Sequence, residues 1–97
     1  MLKVLNKQKQ AKIKFSIDVE IDLVHGELPS NQMIARESNK IANAYPGFKA
    51  YFICFYLPGM KLDAGAFATA HHNPKLKVNI QDFVLNNYPE YSKLLEE

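Results

Sequence analysis

Cysteine is nearly absent from this sequence, because Cys54 is the only one among 97 residues. A single cysteine excludes an intramolecular disulfide, and it supplies no Cys-x-x-Cys pair for a zinc site. Cys54 lies in the most apolar run of the chain, so we expect its thiol to behave as a small hydrophobic side chain. Cysteine usage therefore leaves the redox compartment open.

Long apolar runs are missing as well, and none approaches the roughly 20 residues that a helix needs to cross a bilayer. The polar start, MLKVLNKQKQ, lacks the apolar centre of a signal peptide. As given, the sequence predicts a cytoplasmic protein without a membrane partner. An export signal removed by truncation would leave no trace in it.

A large excess of either charge is also absent, because 12 Lys and Arg residues accompany 10 Asp and Glu residues, for a net charge of +2. Charge alone therefore indicates no nucleic-acid partner. Its distribution is uneven, since the first charged residues are all basic: Lys3, Lys7, Lys9, Lys12 and Lys14. The next ones are acidic: Asp18, Glu20, Asp22 and Glu27. We interpret residues 1–11 as a solvated basic arm, with nucleic-acid binding through the early lysines as the alternative.

The overall composition, 47% hydrophobic and 23% charged, is typical of a globular protein. The chain length suits one hydrophobic core. We therefore expect residues 12–97 to form a single domain after the basic arm.

Hydrophobic periodicity predicts the first two elements of this domain. Residues 12–22 alternate strictly, which predicts a half-buried strand with a polar outer face. Apolar residues recur at three- and four-residue spacing over residues 30–44, which predicts a helix. Ser30 or Asn31 can cap its first turn, and Pro46 ends it.

Three further strands follow the helix. Residues 48–57 are apolar on both faces, as in a central strand, and residues 66–72 and 76–80 alternate. The order predicts an α+β fold, β-α-β-β-β: a small mixed four-stranded sheet with the main helix on one face and a short C-terminal helical tail. The long first crossover predicts parallel strands, and the later connections predict antiparallel hairpins.

The segment 56–74, YLPGMKLDAGAFATAHHNP, concentrates glycine, small residues and histidines. One interpretation is a hairpin shaped by Pro58, Gly59 and Gly65. The other is a binding loop and strand surface at residues 58–72, presented by a rigid sheet. Its candidate binding residues are Met60, Lys61, Asp63, Phe67, Thr69, His71 and His72.

Motifs for chemistry are scarce. His71 and His72 would point to opposite faces of a strand, and neither Asp63 nor His25 completes a zinc spacing, so we expect no metal and no cofactor. Neither Ser30 nor Ser38 lies in a G-x-S-x-G elbow, and both phosphate-binding glycine motifs are missing.

Two other functional patterns remain open or fail. A small enzyme or ligand-binding site around His71, His72 and Asp63 is an alternative to the binding surface. The run KAYFICFY, residues 49–56, superficially resembles the aromatic strand of RNA-recognition modules. It lacks the required glycine, and its apolar character on both faces favours a core role.

The run FYLPGMKLDAGAFATAHHNPKLKVNI, with the strand, helix and turn before it, resembles a family of small bacterial domains of unknown function. The matching positions are Tyr56 to Lys61, Gly65 to Thr69, His71, Pro74, and Leu76 to Ile80. The resemblance covers residues 12–80, and Phe67 stands where the family pattern has tryptophan. It implies these domain boundaries and no activity.

Taken together, these patterns predict a non-enzymatic binding or accessory domain that uses the 58–72 surface. A protein partner or self-association is expected rather than nucleic acid. The unpaired edge of a small sheet permits a homodimer.

Overall fold

The computed structural model describes residues 3–10, 13–62, 65–72 and 75–96. The elements in chain order are β1 Lys3–Gln10, β2 Lys14–Glu20, α1 Asn31–Ala44, β3 Ala50–Tyr56, β4 Ala68–His72, β5 Leu76–Ile80, a 3₁₀ helix Asp82–Asn87, α2 Pro89–Ser92 and a second 3₁₀ helix Lys93–Glu96. The α+β class and the single main helix are confirmed.

The sheet has five strands in the order β1-β2-β3-β4-β5. Strands β2 and β3 are parallel, joined across α1, and every other neighbouring pair is antiparallel. The predicted count of four strands is wrong by one. The additional strand, β1, lies within the segment that we interpreted as a basic arm.

Strand β1 escaped the sequence pattern because polar residues occupy both of its faces. Its place depends on backbone pairing with β2, interrupted by a bulge between Val4 and Asn6. A lysine-rich strand suits the edge of a sheet, since its charges discourage pairing with other chains.

The strict alternation of β2 becomes a buried face in the structure. Phe15, Ile17 and Val19 are almost fully buried, whereas the residues between them are exposed or half-buried. Their neighbours on the same face include Ile53 and Ala70, both without exposed surface. This face of the sheet carries the core of the domain.

Helix α1 covers the core face. The Met33 N–H donates to Ser30 Oγ at 3.2 Å, which satisfies one free amide of the first turn. Ile34 and Ile41 are buried, and α1 packs along β3, β4 and β5. No helix in the described part of the chain has the length and apolar character needed to cross a membrane.

Candidate functional site

The segment after β3 is held in place by the C-terminal tail. The Lys61 N–H donates to Tyr88 Oη at 3.1 Å, and Tyr91 Oη donates to the Pro58 carbonyl. Met60 is 9% exposed, and its Sδ accepts from the Leu57 N–H at 3.4 Å. Residues 58–61 are therefore fastened from both sides, with the Lys61 side chain exposed.

Phe67, the aromatic residue of the candidate binding set, is 1% exposed and belongs to the core. Met60 is buried with it, so neither side chain offers a surface to a partner. Gly65 has a φ of 100°, and a Cβ there would lie 3.4 Å from Val84 Cγ2. The unusual composition thus serves turn geometry and packing in large part. Asp63 lies outside the described residues.

The remaining candidates fall on two faces of β4. Thr69 and His71 lie opposite Cys54 and Phe52 of β3, on the face that α1 does not cover. His72 lies opposite Tyr51, on the core side. The two histidines therefore cannot act on one small substrate. Among the described residues, no group of three or more metal-ligating side chains comes together.

We call the uncovered side of the sheet the open face, and the strand register defines it. One row across it comprises Gln8, Ser16, Phe52, His71 and Lys77. The adjacent row comprises Asn6, Asp18, Cys54, Thr69 and Asn79. The open face is therefore mostly polar, with one phenylalanine near its centre.

Phe52 is flanked by two basic side chains. Lys14 Nζ lies 5.4 Å from the centroid of the Phe52 ring, within cation–π range. The His71 ring lies 4.5 Å from the same ring at an angle of 40°. Lys14 and His71 are exposed, and Phe52 is half-buried. We call these three residues the Phe52 cluster.

The other end of the open face is closed to solvent. Tyr56 is 6% exposed, and its Oη donates to the Leu62 carbonyl at 3.4 Å. Burial, with a smaller contribution from the Asp18 carboxylate, raises the pKa of Cys54 to about 12. Burial and Asp18 likewise raise the pKa of Tyr56 to about 12. Both groups are protonated at neutral pH, so Cys54 is poorly suited to act as a nucleophile.

A small pocket lies on the core side of the same sheet end as the Phe52 cluster. Its volume is about 200 Å³, and it is lined by Phe48, Lys49, Tyr51 and His72. His72 Nδ1 is buried, and no described group forms a hydrogen bond with it. Aromatic side chains thus occur on both faces at this end of the sheet.

This end of the sheet is also basic. It is where β2, β3 and β5 begin and β4 ends, which brings together Lys14, Lys49, Lys75, Lys77, His71 and His72. Residues 13–16, 48–52, 70–72 and 75–79, which build it, include no Asp or Glu. We call this region the basic end.

The early lysines are dispersed by the fold. Lys3 pairs with Glu20 at the opposite end of the sheet. Lys7 Nζ lies 5.0 Å from the centroid of the Tyr45 ring, on the core side. Lys12 lies outside the described residues, and of these early lysines Lys14 belongs to the Phe52 cluster. The described lysines before residue 15 therefore do not form one continuous surface.

His25 lies in a different region. It has a φ of 53°, in a tight turn between Val24 and Glu27. With Asp22 and Arg36 it helps to line a pocket of about 340 Å³ between that turn and α1. The structure places it beyond the end of β2 that carries Glu20, so it does not join His71 in one site.

No protein-family model, curated protein or solved structure matches this chain. The resemblance of residues 12–80 to a bacterial family stays a prediction. Function is therefore argued from the open face and the basic end.

Proposed function

We propose that this protein is a non-enzymatic binding domain whose contact surface is the open face of the sheet. The observation that supports this most is the Phe52 cluster: an aromatic ring between a lysine and a histidine, on an otherwise polar face. Such a ring offers area for stacking, and its basic neighbours add attraction for electron-rich or anionic groups.

The side chains around the cluster suit binding better than chemistry. Gln8, Ser16, Thr69 and Asn79 supply neutral hydrogen-bond donors and acceptors in rows across the strands. The adjacent thiol of Cys54 is protonated at neutral pH. This surface can hold an extended ligand by stacking and hydrogen bonds, as functional surfaces on rigid scaffolds do.

Selection from random pools tests this proposal without assuming the identity of the ligand. A displayed peptide library and a single-stranded DNA pool would be enriched on the wild-type protein. The recovered ligands would then be measured against the Phe52→Leu/His71→Thr double variant. We expect about a tenfold or greater loss of affinity, because aromatic contacts contribute about 0.5–1.5 kcal/mol beyond buried area.

Phe83→Leu is the matched control, because Phe83 is 68% exposed and lies after the opposite end of β5. It should leave affinity unchanged. Enriched ligands that bind the double variant as tightly as the wild type would contradict the proposal, and so would failure of both pools to yield a ligand.

A further inference from the structure

Building on the proposed function, we infer that the ligand of the open face is a single-stranded nucleic acid. Its phosphates would lie along the basic end, and its bases would stack on the Phe52 cluster. The juxtaposition that supports this is a row of lysines beside aromatic rings, assembled from four separate strands.

Charge is the first step of the argument. The described lysines of the basic end are distributed from β2 to β5: Lys14, Lys49, Lys75 and Lys77. Three strand spacings separate β2 from β5, a distance of about 14 Å at the usual spacing of neighbouring strands. An extended polyanion can contact all of these lysines at once, whereas a single small anion cannot.

The acidic side chains of β2 lie elsewhere. Glu20 pairs with Tyr56 at the opposite end of the sheet, and Asp22 follows it. The open face is thus basic at one end and acidic at the other. That polarity would place a phosphate backbone across the starts of β2, β3 and β5 rather than along the whole sheet.

Aromatic rings are the second step, and they favour a nucleic acid over other polyanions. Bases stack on Phe and His side chains without regard to sequence, and lysines beside the rings hold the backbone. Phe52 and His71 offer this platform on the open face. The pocket formed by Phe48, Tyr51 and His72 offers a second aromatic surface around the same strand ends.

Single strands are favoured over duplexes for a physical reason. In a duplex the base faces are stacked on one another, so they cannot reach a ring on a sheet face. Gln8 and Asn79 lie in the rows beside the cluster and can form hydrogen bonds with the edges of unpaired bases.

The first experiment measures binding of a labelled oligonucleotide of about 12 nucleotides, as DNA and as RNA, by fluorescence anisotropy. Four phosphate contacts predict a slope of log K against log salt of about −2.8 for a single strand, a fall of about 50-fold between 50 and 200 mM salt. Lys75→Gln/Lys77→Gln should halve the slope, leaving a fall of about sevenfold.

Lys40→Gln/Lys93→Gln is the control with the same change in net charge. Lys40 is on α1, with a side chain 65% exposed, and Lys93 is in the C-terminal tail. This variant should keep the wild-type slope. An equal loss of slope in both variants would overturn the inference, because the binding would then reflect net charge rather than the basic end.

The second experiment separates bases from phosphates. Phe52→Leu, or His71→Ser at an exposed position, should weaken oligonucleotide binding by about fivefold to a hundredfold, the range found for base stacking on aromatic rings. Inorganic polyphosphate should bind these variants as it binds the wild type, and Phe83→Leu should change neither. Circular dichroism and thermal melting would establish that each variant is folded.

Three results would overturn the inference: equal affinity for a duplex of the same sequence, equal losses of polyphosphate and oligonucleotide binding in the Phe52 variants, or no oligonucleotide binding at low salt. The proposed function has a separate outcome. If selected peptides still require Phe52 and His71, the open face is a binding surface for protein and only the nucleic-acid ligand is wrong.

Discussion

At the scale of single residues, the row Asp18, Cys54 and Thr69 shows how burial sets chemistry on the open face. Cys54 is 9% exposed and lies opposite Asp18 in the sheet. Its thiol forms a hydrogen bond with the Asp18 carboxylate, which favours the neutral thiol over the thiolate. The residue that would be the natural nucleophile of this surface is thereby kept protonated.

The raised pKa of Cys54 has a consequence for stability at alkaline pH. The ordinary value is 9.0 and the folded value is about 12. Above pH of about 9 the unfolded chain releases the proton while the folded chain retains it, so the free energy of unfolding falls as pH rises toward about 12. Below pH of about 9 this contribution is fully present.

Cys54→Ser should therefore flatten the alkaline part of the stability curve. Urea unfolding at several pH values between about 8 and 11 would measure this, with a slope difference of up to about 1.4 kcal/mol per pH unit. Tyr56 titrates in both proteins, so its contribution cancels in the comparison. Parallel curves for the two proteins would show that Cys54 has no raised pKa.

At the scale of elements, β4 is the strand whose sequence explains its position. Ala68 and Ala70 have no exposed surface, and they lie on the face that α1 covers. Small side chains there allow the helix to approach the sheet. The sequence analysis predicted this close approach from the alanines, and their burial agrees with it.

Ala70→Leu should destabilise the domain by about 1–3 kcal/mol, because the added methylenes have no space between β4 and α1. Thr69→Leu is the matched control in the same strand, since Thr69 is half-buried on the open face. We expect its free energy of unfolding to change by much less. Chemical denaturation of both variants would measure the difference, and equal losses would contradict close packing at Ala70.

Periodicity explains which elements the sequence could predict. Strand β2 and helix α1 bury one face each, so their apolar residues recur at the period of the element. Strand β1 has no such signal, because pairing at an edge requires backbone groups and no particular side chains. The Phe52 cluster was missed for another reason: an apolar run gives no indication of which ring faces solvent.

At the scale of the whole molecule, the C-terminal tail and the segment after β3 form one unit. Residues far apart in the chain are joined here, since Tyr91 Oη donates to Pro58 and Tyr88 Oη accepts from Lys61. Leu85 and Tyr91 are buried against the rest of the core. The tail therefore helps to hold the segment that follows the central strand.

Tyr91→Phe should loosen that segment without unfolding the domain. The lost hydrogen bond is worth about 0.5–1.5 kcal/mol, so the Met60 amide, which donates to the Leu57 carbonyl, should exchange faster with solvent. Hydrogen exchange followed by NMR would measure this. Ser92→Ala, which removes a bond local to the tail, is the control and should leave Met60 exchange unchanged.

Self-association remains a prediction at this scale. Strand β5 has one neighbouring strand, β4, so its outer edge is not paired with any strand of the described chain. Sedimentation equilibrium over a range of concentrations would show whether two chains pair there. A monomer at every concentration would contradict the homodimer.

The sequence by itself determined the kinds of element, because hydrogen-bonding period and end signals are local properties of the chain. It also determined the one-sided core, through the alternation of β2 and the spacing of α1. Only the tertiary structure decided that Lys14, Phe52 and His71 meet. They are distant in the chain, and their meeting depends on a parallel register across α1 and an antiparallel register between β3 and β4, which long-range packing sets.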